Sequence, residues 1–264
     1  MITHEYLDII IDDGLATVTL NRPERLNTLH PPAHREFESV WIELAEDPSV
    51  RAVVLTGAGK NFSAGGDVKD MLERISIDPR GGSGISPASA RRLVFGMLDF
   101  EKPVLAAIEG RAHGLGATIA LLCDLVVAAE DATFADPHVS VGLAAGDGGA
   151  AVWAALVGPY RAKELLFLGS ALDAREVHRL GGVNRIAAPG SALAEATALA
   201  RQLLAQPQLA LKGTKIAINA WLKSQFQTLF EVSLGYEIVT LGSADFAEAL
   251  TALGAKRTPV FEGT

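Results

Sequence analysis

Two glycine-rich turns are the places in this sequence where a small molecule can come close to the backbone. The first, Gly59-Lys60-Asn61-Phe62-Ser63-Ala64-Gly65-Gly66-Asp67, follows an apolar run and leads into a helix-like segment beginning near Val68. The second, Glu109-Gly110-Arg111-Ala112-His113-Gly114-Leu115-Gly116-Ala117, follows another apolar run and opens a helix. Glycine lacks the Cβ that would hold a ligand away, and the first N–H groups of a helix have no acceptor within it. Two such turns can offer two N–H donors to one oxygen, and the chemistry this serves is stabilisation of a developing oxyanion. Taken alone, each turn is equally a tight strand-to-helix connection. Neither has the Gly-x-Gly-x-x-Gly or Walker form, which argues against a dinucleotide or P-loop nucleotide site.

The elements that must hold these turns are readable from periodicity. Tyr6 to Ile11 and Leu15 to Leu20 read as a hairpin around Asp12-Asp13-Gly14. Phe37, Val40, Trp41 and Leu44 recur at helical spacing within 32–45, and Arg51 to Thr56 is a buried-type strand. Asp78 to Pro87, crowded with glycine, proline and serine, reads as a mobile surface loop able to cover a site. A helix from about Ala88 to Phe100, a strand from Pro103 to Glu109, a helix from Gly114 to Cys123 and a strand from Asp124 to Ala129 follow. Beyond about Gly190 the pattern is helical, through Ala192–Leu204, Ala210–Leu222, Phe226–Leu241 and Phe246–Leu253. The class is α/β, with a core over 1–190 and a helical C-terminal region over 191–264.

The chain has 264 residues, 49% of them hydrophobic and 20% charged, enough to bury a substantial core. Its formal net charge of -8 argues against nucleic-acid binding, so an anionic ligand must rely on local Lys or Arg groups. The single cysteine, Cys123, excludes an internal disulfide and any cysteine-based zinc site, and reads as a small buried hydrophobe. No metal-ligand cluster is visible, and none is expected to be required. The start, Met1-Ile2-Thr3-His4-Glu5, lacks a basic and apolar leader pattern, and no apolar run reaches spanning length, so neither export nor membrane insertion is expected. A cytoplasmic location is the expectation.

The segments Asn61-Phe62-Ser63-Ala64-Gly65-Gly66-Asp67 and Gly110-Arg111-Ala112-His113-Gly114-Leu115-Gly116 resemble the two signature segments of the crotonase (enoyl-CoA hydratase/isomerase) family. Similarity continues through Cys123–Ala129, Phe134-Ala135-Asp136-Pro137, Gly142-Leu143, Gly146-Asp147-Gly148-Gly149 and Leu172-Asp173-Ala174, over nearly the whole chain. The resemblance implies a spiral of ββα turns, a helical C-terminal region that forms trimers or dimers of trimers, and an acyl-CoA thioester substrate, with coenzyme A part of that substrate and no separate cofactor. It places the two oxyanion-hole N–H donors at Ala64 and Leu115, each worth roughly 3–4 kcal/mol to an enolate-forming barrier. Around them it assigns substrate contacts to Arg25, Leu26, Gly65, Gly66, Asp67, Val68, His113, Gly114 and Thr118, with Arg22, Arg25 and Lys60 as candidates for the CoA phosphates.

Hydratases of this family use two glutamates, and this sequence has neither. Their positions match Thr118, which is no base near neutral pH, and His138, an imidazole whose ordinary pKa of ~6.5 suits acid or base work. Asp147 lies in a glycine turn where the family's isomerases often carry a carboxylate. The resemblance therefore points to His138 and Asp147 as an acid/base pair, with His34 as a further pocket candidate. His138 to Asp147, with Val152-Trp153 and Ala33-His34, also resembles oxocamphor hydrolase, a crotonase relative that opens cyclic β-diketones without CoA. Three readings follow: an enoyl-CoA hydratase/isomerase-like enzyme, a carbon–carbon hydrolase of cyclic β-diketones, and a noncatalytic binding member of the fold.

Overall fold

A computed structural model of the chain describes residues 4–77 and 83–264. The hairpin forms where the sequence places it, as β1 (Leu7–Asp12) and β2 (Leu15–Leu20), with β1 the edge strand. Helix α1 (Pro31–Glu46) starts on Pro31, where a proline is well placed because the first N–H needs no acceptor. It is followed by β3 (Ala52–Gly57), α2 (Val68–Ile77) and α3 (Pro87–Asp99), whose N-cap Ser86 accepts from the Ser89 N–H. Residues 78–82, the first half of the expected surface loop, lie outside the described residues, as do residues 1–3. Then come β4 (Val104–Ile108), β5 (Arg111–His113), α4 (Leu115–Leu122), β6 (Leu125–Ala129) and β7 (Thr133–Ala135). The chain continues through α5 (Gly149–Leu168), β8 (Leu172–Asp173), α6 (Ala174–Arg179), β9 (Arg185–Ala187), α7 (Ala192–Leu204), α8 (Gln208–Leu241) and α9 (Ala244–Gly254).

The α/β class holds. A six-stranded sheet runs β1-β2-β3-β4-β6-β9, antiparallel only at the β1–β2 pair, beside a three-stranded sheet β5-β7-β8. Strands β3 and β4 are buried almost throughout because both faces of the larger sheet are covered. Val53, Leu55, Val104, Ala106 and Ile108 face a core shared with α1, α3 and α4. Their neighbours Ala52, Val54, Leu105 and Ala107 point the other way, onto Ala192, Ala196, Leu199 and Ala200 of α7, as the two-residue period of a strand requires.

The short elements β5, β7, β8, α6 and β9 were not read from the sequence, and two long helices depart from its reading. The segments 210–222 and 226–241 are one continuous helix, α8, because nothing between Leu222 and Phe226 breaks it. Helix α5 was not anticipated, since small and apolar residues fill its first half, 149–157, on all sides and leave no 3.6-residue stripe there; it is interrupted at Gly158, whose φ of 75 precedes Pro159. Among the described residues no helix is long and apolar enough to cross a membrane.

Candidate active site

The two glycine turns lie side by side, laced by backbone hydrogen bonds. Phe62 and Ser63 donate to the carbonyls of Glu109 and Arg111 at 2.8 and 2.9 Å, and His113 donates back to Ser63 at 2.9 Å. Gly65 has φ +83, and a Cβ there would lie 2.6 Å from the His113 carbonyl and 2.9 Å from the Leu115 nitrogen, so only glycine lets the turns abut. Leu115 is the first residue of α4, and for that reason its N–H donates to no acceptor among the described residues.

The first turn corrects the sequence expectation. The Ala64 N–H donates to the Leu26 carbonyl at 3.0 Å, so it is not free to meet a ligand. The next candidate is Gly66, whose N–H donates to no described residue and whose backbone lines the same cavity as Leu115. Pairing with Leu29 explains the choice: Leu29 donates to Gly65 at 2.8 Å, a register that turns the Gly66 N–H away from that strand pair. Only the long-range loop 22–29 discriminates Ala64 from Gly66, and no local sequence signal does.

The cavity closes around about 70 Å³ and is lined by Gly66, Leu115, His34, His138, Asp147 and Glu237 among others. His138 reaches it because β7 pairs with β5, and the Gly114 N–H donates to Ala135 at 2.8 Å, which lays the segment after β7 against the second turn. A single 3-10 turn, His138–Val141, then presents the imidazole. Its Nδ1 bonds to Asp136 Oδ1, and its Nε2 lies 3.4 Å from Asp147 Oδ2. Asp147 in turn accepts from the Gly149 N–H at 3.2 Å and the Thr118 hydroxyl at 3.4 Å. A noncatalytic reading expects His138 and Asp147 on separate faces, and the geometry does not meet that expectation.

Burial opposes charge on His138, but the carboxylates of Asp136 and Asp147 outweigh it and raise its pKa well above the ordinary imidazole value. Burial likewise opposes ionisation of Asp147, yet the His138 charge and the Gly149 and Thr118 donors hold its carboxyl below the usual range. Glu237, on α8, is pushed up to about 8, first by burial and then by the Asp147 charge, so it carries a proton at neutral pH. Sequence reading missed both Asp136 and Glu237 as site residues. Asp136 stood in the matched Phe134–Pro137 segment beside His138, and its acidic type was the available signal; Glu237 had none, because the fold alone brings α8 to this cavity.

Asp136, His138 and Asp147 place one donor atom each within 4.8 Å of one another, a group the sequence reading did not foresee as a metal-ligand cluster. The two carboxylates meet opposite nitrogens of one ring, so a single ion cannot join all three without breaking one of these contacts. The arrangement suits proton relay better than a metal cage.

The other expected contacts scatter. Arg22 and Arg25 lie 3.4 and 3.6 Å from the buried Asp67 carboxylate, which also accepts from Thr28 at 3.0 Å, so these three residues brace the loop and do not line the cavity. Lys60 is exposed and makes no ion pair among the described residues. Leu26 stands in the left-handed region at φ 53, its carbonyl holding Ala64, and Val68 packs at the start of α2 against Leu143 and Phe246. The His113 ring bonds to Thr133 at 3.0 Å, and burial, with Arg111, lowers its pKa. A Cβ on Gly114 would lie 3.8 Å from the His138 ring, and Thr118 acts on the cavity only through Asp147.

The enoyl-CoA hydratase/isomerase family model matches residues 11–264. The chain is 34% identical to the 1,2-epoxyphenylacetyl-CoA isomerase of Escherichia coli over 263 residues, covering 98% of this chain and 99% of that protein. It is 36% identical to the short-chain-enoyl-CoA hydratase of Clostridium acetobutylicum, with 92% of each covered. A crystal structure of an enoyl-CoA hydratase/isomerase from Mycobacterium paratuberculosis superposes with a TM-score of 0.86 at 36% identity, covering 93% of this chain and 97% of that one.

Proposed function

We propose, from the premise that this chain belongs to the enoyl-CoA hydratase/isomerase family, that it stabilises the enolate of an acyl-CoA thioester. The thioester oxygen accepts from the Gly66 and Leu115 N–H groups, and His138 with Asp147 moves the proton. The observation that carries this reading is that these four residues line one cavity. Asp147, ionised against the His138 imidazolium, takes a proton from the carbon beside the carbonyl, and the negative charge passes to the oxygen held by the two amides. Returning the proton to another carbon completes an isomerisation; in a hydration water instead adds to the carbon two from the carbonyl, Asp147 taking its proton, and the enolate so formed takes that proton back at the carbon beside the carbonyl. Lys60, exposed and without an ion pair among the described residues, is the remaining candidate for the CoA phosphates, since Arg22 and Arg25 already face Asp67. The site works without a metal, and inactivation by a chelator would contradict that.

Turnover of an enoyl-CoA by the purified protein, lost in His138→Ala and Asp147→Asn, is the expected result. Absence of any CoA thioester binding would remove the reading. A second reading, cleavage of a cyclic β-diketone by activated water, draws on the replacement of the family's glutamates by an Asp136–His138–Asp147 relay suited to activating water. Its test is CoA-independent diketone turnover that disappears in the same two variants.

The exposed apolar residues Trp221, Val232, Tyr236 and Val239 of α8 support assembly as a homotrimer or dimer of trimers. Light scattering on the purified protein decides this, a monomer overturning it. A cytoplasmic location belongs to the same proposal.

A further inference from the structure

A second imidazole, His34 of α1, belongs to the cavity and has no part in the relay above. It is 2% exposed, and its Nδ1 lies 3.2 Å from the Ser89 hydroxyl of α3. That hydroxyl has one proton, and it donates it to Glu38 Oε2 at 2.6 Å. Glu38 is itself held by Arg92 through its other oxygen. Ser89 therefore has only lone pairs to offer His34, and Nδ1 must carry the proton. The ring is neutral: burial, the first of several influences, pushes its pKa down to about 4. Neutrality with a proton on Nδ1 leaves Nε2 as a bare acceptor. No described residue donates to Nε2, and the ring lines the cavity.

We propose that His34 is a specificity-determining residue, whose Nε2 lone pair accepts a hydrogen bond from a hydroxyl on the acyl group of the substrate. The relay Arg92–Glu38–Ser89 is what fixes the acceptor tautomer. Apart from the relay, Glu237 and two serines, the cavity offers apolar walls, among them Leu93, Leu143 and Leu234, so a substrate lacking that donor leaves the imidazole nitrogen without the substrate partner it is built to meet. A site built in this way discriminates against the analogue that lacks the hydroxyl. This inference rests on the acyl-CoA reading above and names the substrate feature that reading leaves open.

Two measurements test it together. Long-range proton–nitrogen spectra of the histidine-labelled protein at about pH 7 are expected to show His34 protonated on Nδ1 and bare on Nε2, with a mixture of tautomers in Ser89→Ala. A proton on Nε2 in the wild-type protein overturns the proposal. In parallel, binding of butanoyl-CoA is compared with binding of its 2-, 3- and 4-hydroxy derivatives. At least one hydroxy ester should bind more tightly than butanoyl-CoA, and His34→Phe should reduce that preference, the ratio of the two affinities, about tenfold. Ser89→Ala, which keeps the imidazole, should weaken the preference by a smaller factor. Butanoyl-CoA binding as tightly as all three hydroxy esters overturns the role of His34 alone. Failure of every ester to bind overturns the acyl-CoA reading itself, and the hydroxyl assignment falls with it.

Discussion

Two buried histidines serve one cavity from different elements, and their environments drive them to opposite charge states. His138 stands between the carboxylates of Asp136 and Asp147 and is held protonated, whereas His34 meets only a serine hydroxyl and is held neutral. Burial lowers the pKa of both; the difference comes from formal negative charge at hydrogen-bond distance. One wall of the cavity is thereby equipped to move protons and the other to recognise a donor. Burial sets the stakes, and the partner sets the sign.

The most severe way to break this contrast is to neutralise the relay. Asp147→Asn is expected to lower kcat by roughly 10²–10⁴-fold, and His138→Gln comparably, as loss of a general acid or base does. Retention of wild-type turnover in both would remove their assigned roles. Next in size is the amide pair that relay serves. Gly66→Pro deletes the N–H and should cost about 10²–10³ in kcat relative to Gly66→Ala, which keeps it and whose Cβ would meet only the terminal methyl of Met71, at 2.9 Å. Equal activity of the two variants would return the donor role to another residue.

Smaller effects sharpen the comparison. Asp136→Asn removes a negative partner from Nδ1 of His138, so the His138 pKa should fall and the alkaline limb of the rate profile should move to lower pH. An unmoved limb would mean that the imidazolium is not the titrating group. Glu237 tests the same electrostatics through stability. Its folded pKa, about 8, exceeds the ordinary 4.5, so the native state keeps a proton that the unfolded chain releases. Stability should therefore decline as pH rises from about 4.5 towards 8, by on the order of a few kcal/mol, and Glu237→Gln should flatten that decline in chemical denaturation. A slope unchanged by the substitution would place the Glu237 proton elsewhere.

Much of this arrangement was legible in the residues. The hairpin, α1, β3, β4, α4 and β6 follow from periodicity, because their buried faces are regular and local. Helix α5 was hidden because its first half is small and apolar on every face and Gly158-Pro159 interrupts it, and α8 was divided because two apolar periods looked like two helices. In the site, His138 and Asp147 were found at 3.4 Å and share the cavity, and Leu115 has its free amide for the expected reason, a helix start. Ala64 was misassigned because an N–H carries no mark of where it points.

By itself the sequence determined the α/β class, the two glycine turns and the imidazole and carboxylate set beside them, since each rests on residue type and short spacing. Tertiary structure alone decided that Gly66 and not Ala64 presents its amide, that Asp136 backs His138, that Glu237 arrives from α8, and that Ser89 turns His34 into an acceptor. All four depend on partners from other segments of the chain or on side-chain orientation, and a hydrogen bond is a fact about two groups at once. No pattern along one stretch of chain contains it.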